Sequence, residues 1–399
     1  MRGTEGSMTA KKKKKKPGKP SSKAVSGAAS AATEAASDTW SPEPLPPTDE
    51  IWTRDLADPG TDLRIAVLGT SVSWGQGLWP KDKACVRCAR ILMKNGGFTK
   101  AAVASYAQSG ATLWAASQTQ PLEKSPYAQV STSLATLSPP SSAARNLTHL
   151  DGETPSPTPY IWDQAARASV DFRNAGRKPS FVWLDAGAND LGFLDTVLAK
   201  DQAACAQYVT SCLNNMTASF TALLTAIWKD PHLGERPIVV TGYYLAASEA
   251  GFDHGMSAPG MLDFIVDWAS GDTSVPSIKQ RVIHNMAAFR NLVQVAWKAV
   301  VATLVANGRD VTYVEPAFAN DGRNVMFVPG TSALWPRTRP PFDSLHGHRL
   351  VESTDRSVWA HLEAKVLTAI AGFAHPNPRG AQLYAEAVAA AVAGKDLRV

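Results

Sequence analysis

Leu63-Arg-Ile-Ala-Val-Leu-Gly-Thr-Ser71 is a short, mostly apolar run that stops on a glycine and delivers a serine. Bounded this way, it reads as a buried strand ending at Gly69. Four more runs repeat the pattern: Ala101 to Tyr106, Phe181-Val-Trp-Leu-Asp185, Pro237-Ile-Val-Val-Thr-Gly-Tyr-Tyr244 and Asp310-Val-Thr-Tyr-Val-Glu315. Helical segments alternate with them. Residues 82–95 are stopped by Gly96-Gly97, residues 201–229 follow the third strand, and 280–306 carry Val282, Met286, Phe289, Val293, Trp297 and Val301 at helical spacing. A last helix is predicted from Gly380 to about Ala393, with Asn377 as cap, Pro378 at its first position and Gly394 as its stop. Five apolar strands alternating with helices predict an α/β protein built on a mainly parallel five-stranded sheet covered on both faces. Residues 116–160, rich in Ser, Thr and Pro, and residues 317–370 read as long insertions.

The 399 residues are 44% apolar, enough for a normal core. The formal charge of +5 is lopsided. Residues 1–37 hold nine Lys or Arg against two Asp or Glu, while the remainder holds 31 against 33. The segment 1–50, with Lys11 to Lys16 and then Pro, Ser and Ala, lacks apolar residues to repay its ordering and is expected to be a disordered tail and linker. Its charge suits either plain solvation or contact with polyanions. The folded domain is expected over 51–399. With no stretch of 18 uninterrupted apolar residues and no basic-then-apolar start, neither a transmembrane segment nor a signal peptide is expected, and the reading leans to a cytoplasmic location. Cys85 and Cys88 form a lone CxxC without a second pair at zinc spacing. Cys205 and Cys212 would close a small loop by a disulfide or remain thiols.

In such a sheet, ligands sit beyond the carboxyl ends of the strands. Ser71, Gly110 and Asn189 all follow predicted strands and should meet at one edge. Ser71 is the candidate nucleophile, on a turn that Gly69 and Gly75 allow to be tight; Ser73 is the local rival, and a plain helix cap is the bland alternative. A serine hydroxyl needs a base, and His375, fixed just ahead of the last helix, is the candidate, with His346 and His348 as rivals. The oxyanion formed by attack on a carbonyl needs donors. The backbone N–H groups of Ser71 and Gly110 and the side-chain amide of Asn189 are the candidates. Gly110, in Ala-Gln-Ser-Gly-Ala, lets backbone approach a substrate closely.

These blocks resemble the SGNH hydrolases, also called GDSL-type esterases and lipases. Gly69-Thr-Ser71 with Gly75 is similar to the first block of that family, Gly110 to the second, Gly187-Ala-Asn189-Asp190 to the GxND block, and His375-Pro-Asn377 to the last. The resemblance runs from about Leu63 to Ala393, the insertions apart. It implies a flavodoxin-like, three-layer α/β/α sandwich, ester hydrolysis through an acyl-serine, and no metal or other cofactor. Two positions depart from it. Thr70 stands where Asp is usual, and Gly372 stands three residues before the histidine, where the family has its triad acid. A backbone carbonyl near Gly372 is one substitute for that acid, and Asp343, reaching in from the second insertion, is the other. The expected partner is a small ester: a lipid, an aryl ester or an acetylated carbohydrate. Trp74, Trp79, Trp114, Trp335 and Trp359 would supply an apolar wall or a sugar-stacking platform near the mouth, with core packing as the plain alternative. A catalytically weak ligand-binding relative is the rival reading, motivated by the missing acid. A mononucleotide binder would want an anion-cradling loop, and 69–77 lacks the lysine of a P-loop.

Overall fold

Strand β2 (Leu63–Leu68) is buried along its whole length, so it lies inside a sheet rather than at its rim. The computed structural model describes residues 52–53, 55–75, 78, 80–108, 111–113, 160–191, 196, 199, 201–249, 274–321, 333–334 and 375–398. All of them fall within one unit, Thr39–Val399. The tail, most of the two insertions, Gly110, Asp343, His346, His348 and Gly372 lie outside the described residues. So do Trp79, Trp114, Trp335 and Trp359, together with the side chain of Trp74.

The other predicted strands are β3 (Ala101–Ser105), β4 (Phe181–Leu184), β5 (Ile238–Thr241) and β6 (Val311–Val314). A two-residue strand, β1 (Trp52–Thr53), adds an edge just ahead of them. The order is β1-β3-β2-β4-β5-β6, and every neighbouring pair is parallel. Without the short edge strand this is the doubly wound order 2-1-3-4-5, in which the chain reverses direction between β2 and β4.

The helices are α1 (Ser71–Trp74), α2 (Ala84–Gly96), α3 (Ile161–Ala175), α4 (Gln202–Lys229), α5 (Val275–Ala306) and α6 (Pro378–Val392). Helices α2 and α6 pack together, as do α4 and α5; right-handed crossovers put the first pair on one face of the sheet and α3, α4 and α5 on the other. The result is the expected α/β architecture with helices on both faces. Helix α3 had no counterpart in the sequence reading; its buried face combines Ile161, Trp162, Val170 and Phe172 with Ala165, Ala166 and Ala168.

Helix α5 is apolar and long enough, by composition, to cross a membrane. Here it is an amphipathic wall of the core: Val282, Met286, Phe289, Val293, Trp297 and Leu304 are buried, whereas Val295 and Val305 face outward. The four cysteines are free thiols. Cys205 and Cys212 belong to one helix, not a loop, and seven residues at 1.5 Å rise separate them by about 10 Å, beyond a disulfide's reach.

Candidate active site

Two of the residues singled out in the sequence, Ser71 and His375, meet in the structure, Ser71 directly beyond the end of β2. Ser71 is the first residue of α1, directly after Gly69-Thr70. Thr70 caps that turn from extended backbone, and Gly75 closes it in the left-handed region, its N–H bonding to the carbonyls of Ser71 and Val72. The hydroxyl of Ser71 lies 2.6 Å from Nε2 of His375. With the ring proton on Nδ1, the hydroxyl donates to Nε2, the arrangement in which imidazole accepts the proton of an attacking oxygen. Both groups are nearly buried, at 9% and 8% exposure, so the contact is shielded from bulk water. Ser73, the local rival, is buried and does not make this contact.

His375 is held from two directions. Asn377 caps α6, its Oδ1 accepting from the N–H groups of Arg379 (2.9 Å) and Gly380 (3.0 Å). Its Nδ2 donates to the carbonyl of Leu334 at 2.9 Å, and its N–H to the carbonyl of Ala333 at 2.9 Å. Pro376 forms an antiparallel bridge with Leu334. Residues 333–334 thus bring part of the second predicted insertion under the histidine. Tyr384, two turns along α6, donates to the carbonyl of Gly242 at 2.8 Å and docks the helix on the end of β5.

The turn after β4 supplies Asn189, whose Nδ2 donates to the carbonyl of Ala111 at 2.9 Å. One amide hydrogen is used there, which orients the group and leaves the second as the donor available to a ligand. The neighbouring Asp190 accepts from the N–H of Leu113 at 2.8 Å. These two bonds stitch the β4 turn to the segment that follows Gly110. From below, the indole of Trp297 donates to the carbonyl of Ala186 at 2.9 Å. Gly187 adopts φ +114, and a Cβ there would stand 2.9 Å from the Trp297 ring. The N–H of Ala188 donates to Tyr243 Oη at 3.1 Å.

Sequence reasoning missed the supports of the serine turn. Gln164, on the unforeseen α3, accepts from the N–H of Gly69 at 2.7 Å and donates to its carbonyl at 3.0 Å. Asp185, at the tip of β4 and 1% exposed, accepts from the N–H groups of Thr70 (3.0 Å) and Ser73 (3.2 Å). It also accepts from the hydroxyls of Thr70 and Tyr243. Burial raises the pKa of Asp185, and the donors around it oppose that shift. An acid at the end of an otherwise apolar buried strand was the available signal. Among the described residues, no group of three His, Cys, Asp or Glu is placed to hold a metal ion.

Asp190 gives a pH prediction. Oδ2 is buried with no hydrogen-bond partner among the described residues, and burial pushes the carboxyl from 3.8 up to about 7. Between these values the folded chain keeps a proton that the unfolded chain has lost. This contribution to stability is therefore fully present below about pH 4 and is lost as pH rises to about 7. Thermal melts of wild type and Asp190→Asn should show the wild type's relative Tm falling between about pH 4 and pH 7; a constant difference would remove the buried acid from the account.

No model of a known protein family matches the chain, and no curated protein matches it. Among solved structures, the chain is similar to a family two carbohydrate esterase from Clostridium thermocellum, at 14% identity, TM-score 0.35, and coverage of 84% of this chain and 65% of that one. It is similar to a gut microbial diltiazem-metabolizing enzyme at 13% identity and TM-score 0.35, covering 76% of this chain but only 47% of the other. A carbohydrate acetylesterase from Sinorhizobium meliloti gives 10% identity, TM-score 0.34, and coverage of 83% and 98%. The chain thus spans less than two thirds of the length of the first two. Likeness of this size assigns no family, and the functional reading rests on the site itself.

Proposed function

We propose that the protein is a carboxylic-ester hydrolase of the SGNH type. Ser71 attacks the ester carbonyl while His375 takes its proton. The resulting oxyanion is met by the N–H groups of Ser71 and Gly110 and by the second hydrogen of the Asn189 amide. The imidazolium returns its proton to the leaving alcohol, giving an acyl-Ser71 intermediate. Water, deprotonated by His375, then attacks that intermediate; the acyl–Oγ bond breaks, the imidazolium returns the proton to Ser71 Oγ, and the acid is released. The observation that carries the reading is the 2.6 Å contact between Ser71 Oγ and His375 Nε2, beside the β2–β4 crevice. In a sheet of this order, that crevice is where ligands bind.

For the orientation of the imidazole we favour a backbone carbonyl near Gly372, with Asp343 as the other candidate. The substrate is a small ester, with lipid, aryl and acetylated-carbohydrate esters as the classes to compare.

A panel of p-nitrophenyl esters of increasing chain length, together with acetylated sugars, tests the reading. Turnover that disappears in Ser71→Ala supports it, and turnover unaffected by that change refutes it. Asn189→Ala should lower kcat on the order of 10²–10³-fold with a smaller change in KM, because its bond strengthens as charge develops on the oxygen. A rise in KM alone would make Asn189 a ground-state binding group instead.

A further inference from the structure

The serine turn is gripped on both sides of its nucleophile by a carboxylate that does not belong to it. Oδ1 of Asp185 accepts from Thr70 N–H at 3.0 Å and from Ser73 N–H at 3.2 Å, so the two residues flanking the 71–72 pair hang on one oxygen. Oδ2 accepts the Thr70 hydroxyl and, at 3.4 Å, the Tyr243 hydroxyl. Tyr243 in turn accepts from Ala188 N–H at 3.1 Å, next to Asn189. A single buried group is therefore bonded to the nucleophile turn and, through one phenol, to the turn carrying the candidate oxyanion donor. Position 70 sits against that group. A hydroxyl there donates to the carboxylate, whereas a second carboxylate would meet it head-on, and two acids in one buried site cannot both ionise.

We propose that Asp185 is the positioning residue for Ser71, and that its delivery from β4 is the reason position 70 is a threonine. The proposal rests on the ester-hydrolase reading. It predicts a reciprocal dependence: one acid is required between positions 70 and 185, and two are harmful.

The test uses the full chain and four variants: Asp185→Ala, Asp185→Asn, Thr70→Asp, and Thr70→Asp combined with Asp185→Asn. Each is measured for kcat and KM on p-nitrophenyl acetate, for labelling rate with a fluorophosphonate, and for Tm. Displacement of a reacting group by about 1 Å costs on the order of 10²-fold. Asp185→Ala, which leaves two backbone donors without an acceptor, should lose about that much in kcat with KM changed less than about threefold. Asp185→Asn keeps the Oδ1 acceptor and should recover about tenfold of the loss. Thr70→Asp should be as poor as Asp185→Ala, and adding Asp185→Asn to it should restore at least about tenfold, in labelling as in turnover.

A folded Asp185→Ala enzyme within about threefold of wild type, or a double variant no better than Thr70→Asp, overturns the proposal. If Asp185→Ala does not fold, the comparison of the two Thr70→Asp enzymes decides alone. A wild type that is neither labelled nor active would instead defeat the hydrolase reading and this proposal with it. A wild type labelled at Ser71 with Asp185 variants labelled equally fast would defeat only the proposal.

Discussion

Ser71→Ala and His375→Ala are each expected to lower kcat on the order of 10⁴–10⁶-fold, and the double variant is expected to be scarcely worse than either single one. The reason is the shared hydrogen bond. With Oγ and Nε2 2.6 Å apart, the two groups work as a unit in the proposed reaction: the hydroxyl is a weak nucleophile unless its proton is taken, and the imidazole is the group placed to take it. Activity remaining in the single variants would come from the oxyanion donors and from binding, which survive in both. Ser71→Ala should change stability little, since it removes a hydrogen bond worth about 1 kcal/mol and leaves the backbone caps in place. Kinetics on p-nitrophenyl acetate, with circular dichroism to verify folding, would measure this. Strictly additive losses in the double variant would mean that the two residues act separately.

Gly69→Ala should be strongly damaging to the fold. Gly69 has φ +129, a conformation that side chains oppose, and an added Cβ would lie 2.3 Å from Asp185 Oδ1, 2.7 Å from its carbonyl oxygen and 2.9 Å from its nitrogen. Two of those atoms are backbone of the neighbouring strand tip and cannot move aside without opening the β2–β4 junction. A loss of about 3–5 kcal/mol is expected, equivalent to a Tm fall on the order of 5–15 °C. Gly97→Ala is the control. Gly97 is also left-handed, at φ +66, but nothing lies within 4 Å of its added Cβ, so only the backbone cost of about 1 kcal/mol applies. Thermal melts that ranked the two substitutions equally would show that the serine turn is less constrained than its contacts imply.

The sheet was legible in the sequence because β2 to β5 are short and buried throughout, and therefore mostly apolar. The last helix was legible from its cap: Asn377 and Pro378 announce a helix start, and Asn377 does bond the free N–H groups there. Helix α3 was not, because it directly follows a Ser/Thr/Pro-rich stretch that reads as loop, and polar Gln164 and Ser169 share its buried face with Ile161, Trp162 and Phe172. Gln164 was lost with it. Edge strand β1 is two residues long, too short for alternation to register.

The chemistry-bearing residues stood out because their types are tied to reactions. The residues that hold them did not: Asp185, Tyr243 and Trp297 act through contacts between elements far apart in the chain, and only the fold brings these together. Thr70 illustrates the difference. On its own it is an unexplained departure at the serine turn; beside Asp185 it is the hydroxyl that a buried carboxylate requires.

Reaction of the full chain with a fluorophosphonate, followed by peptide mapping, tests the central claim most directly. The expected result is one phosphonate per chain on Ser71, formed on the order of 10³-fold more slowly in His375→Ala. Label on Ser73 or another residue, Ser71 labelling indifferent to His375, or no label at all would contradict it.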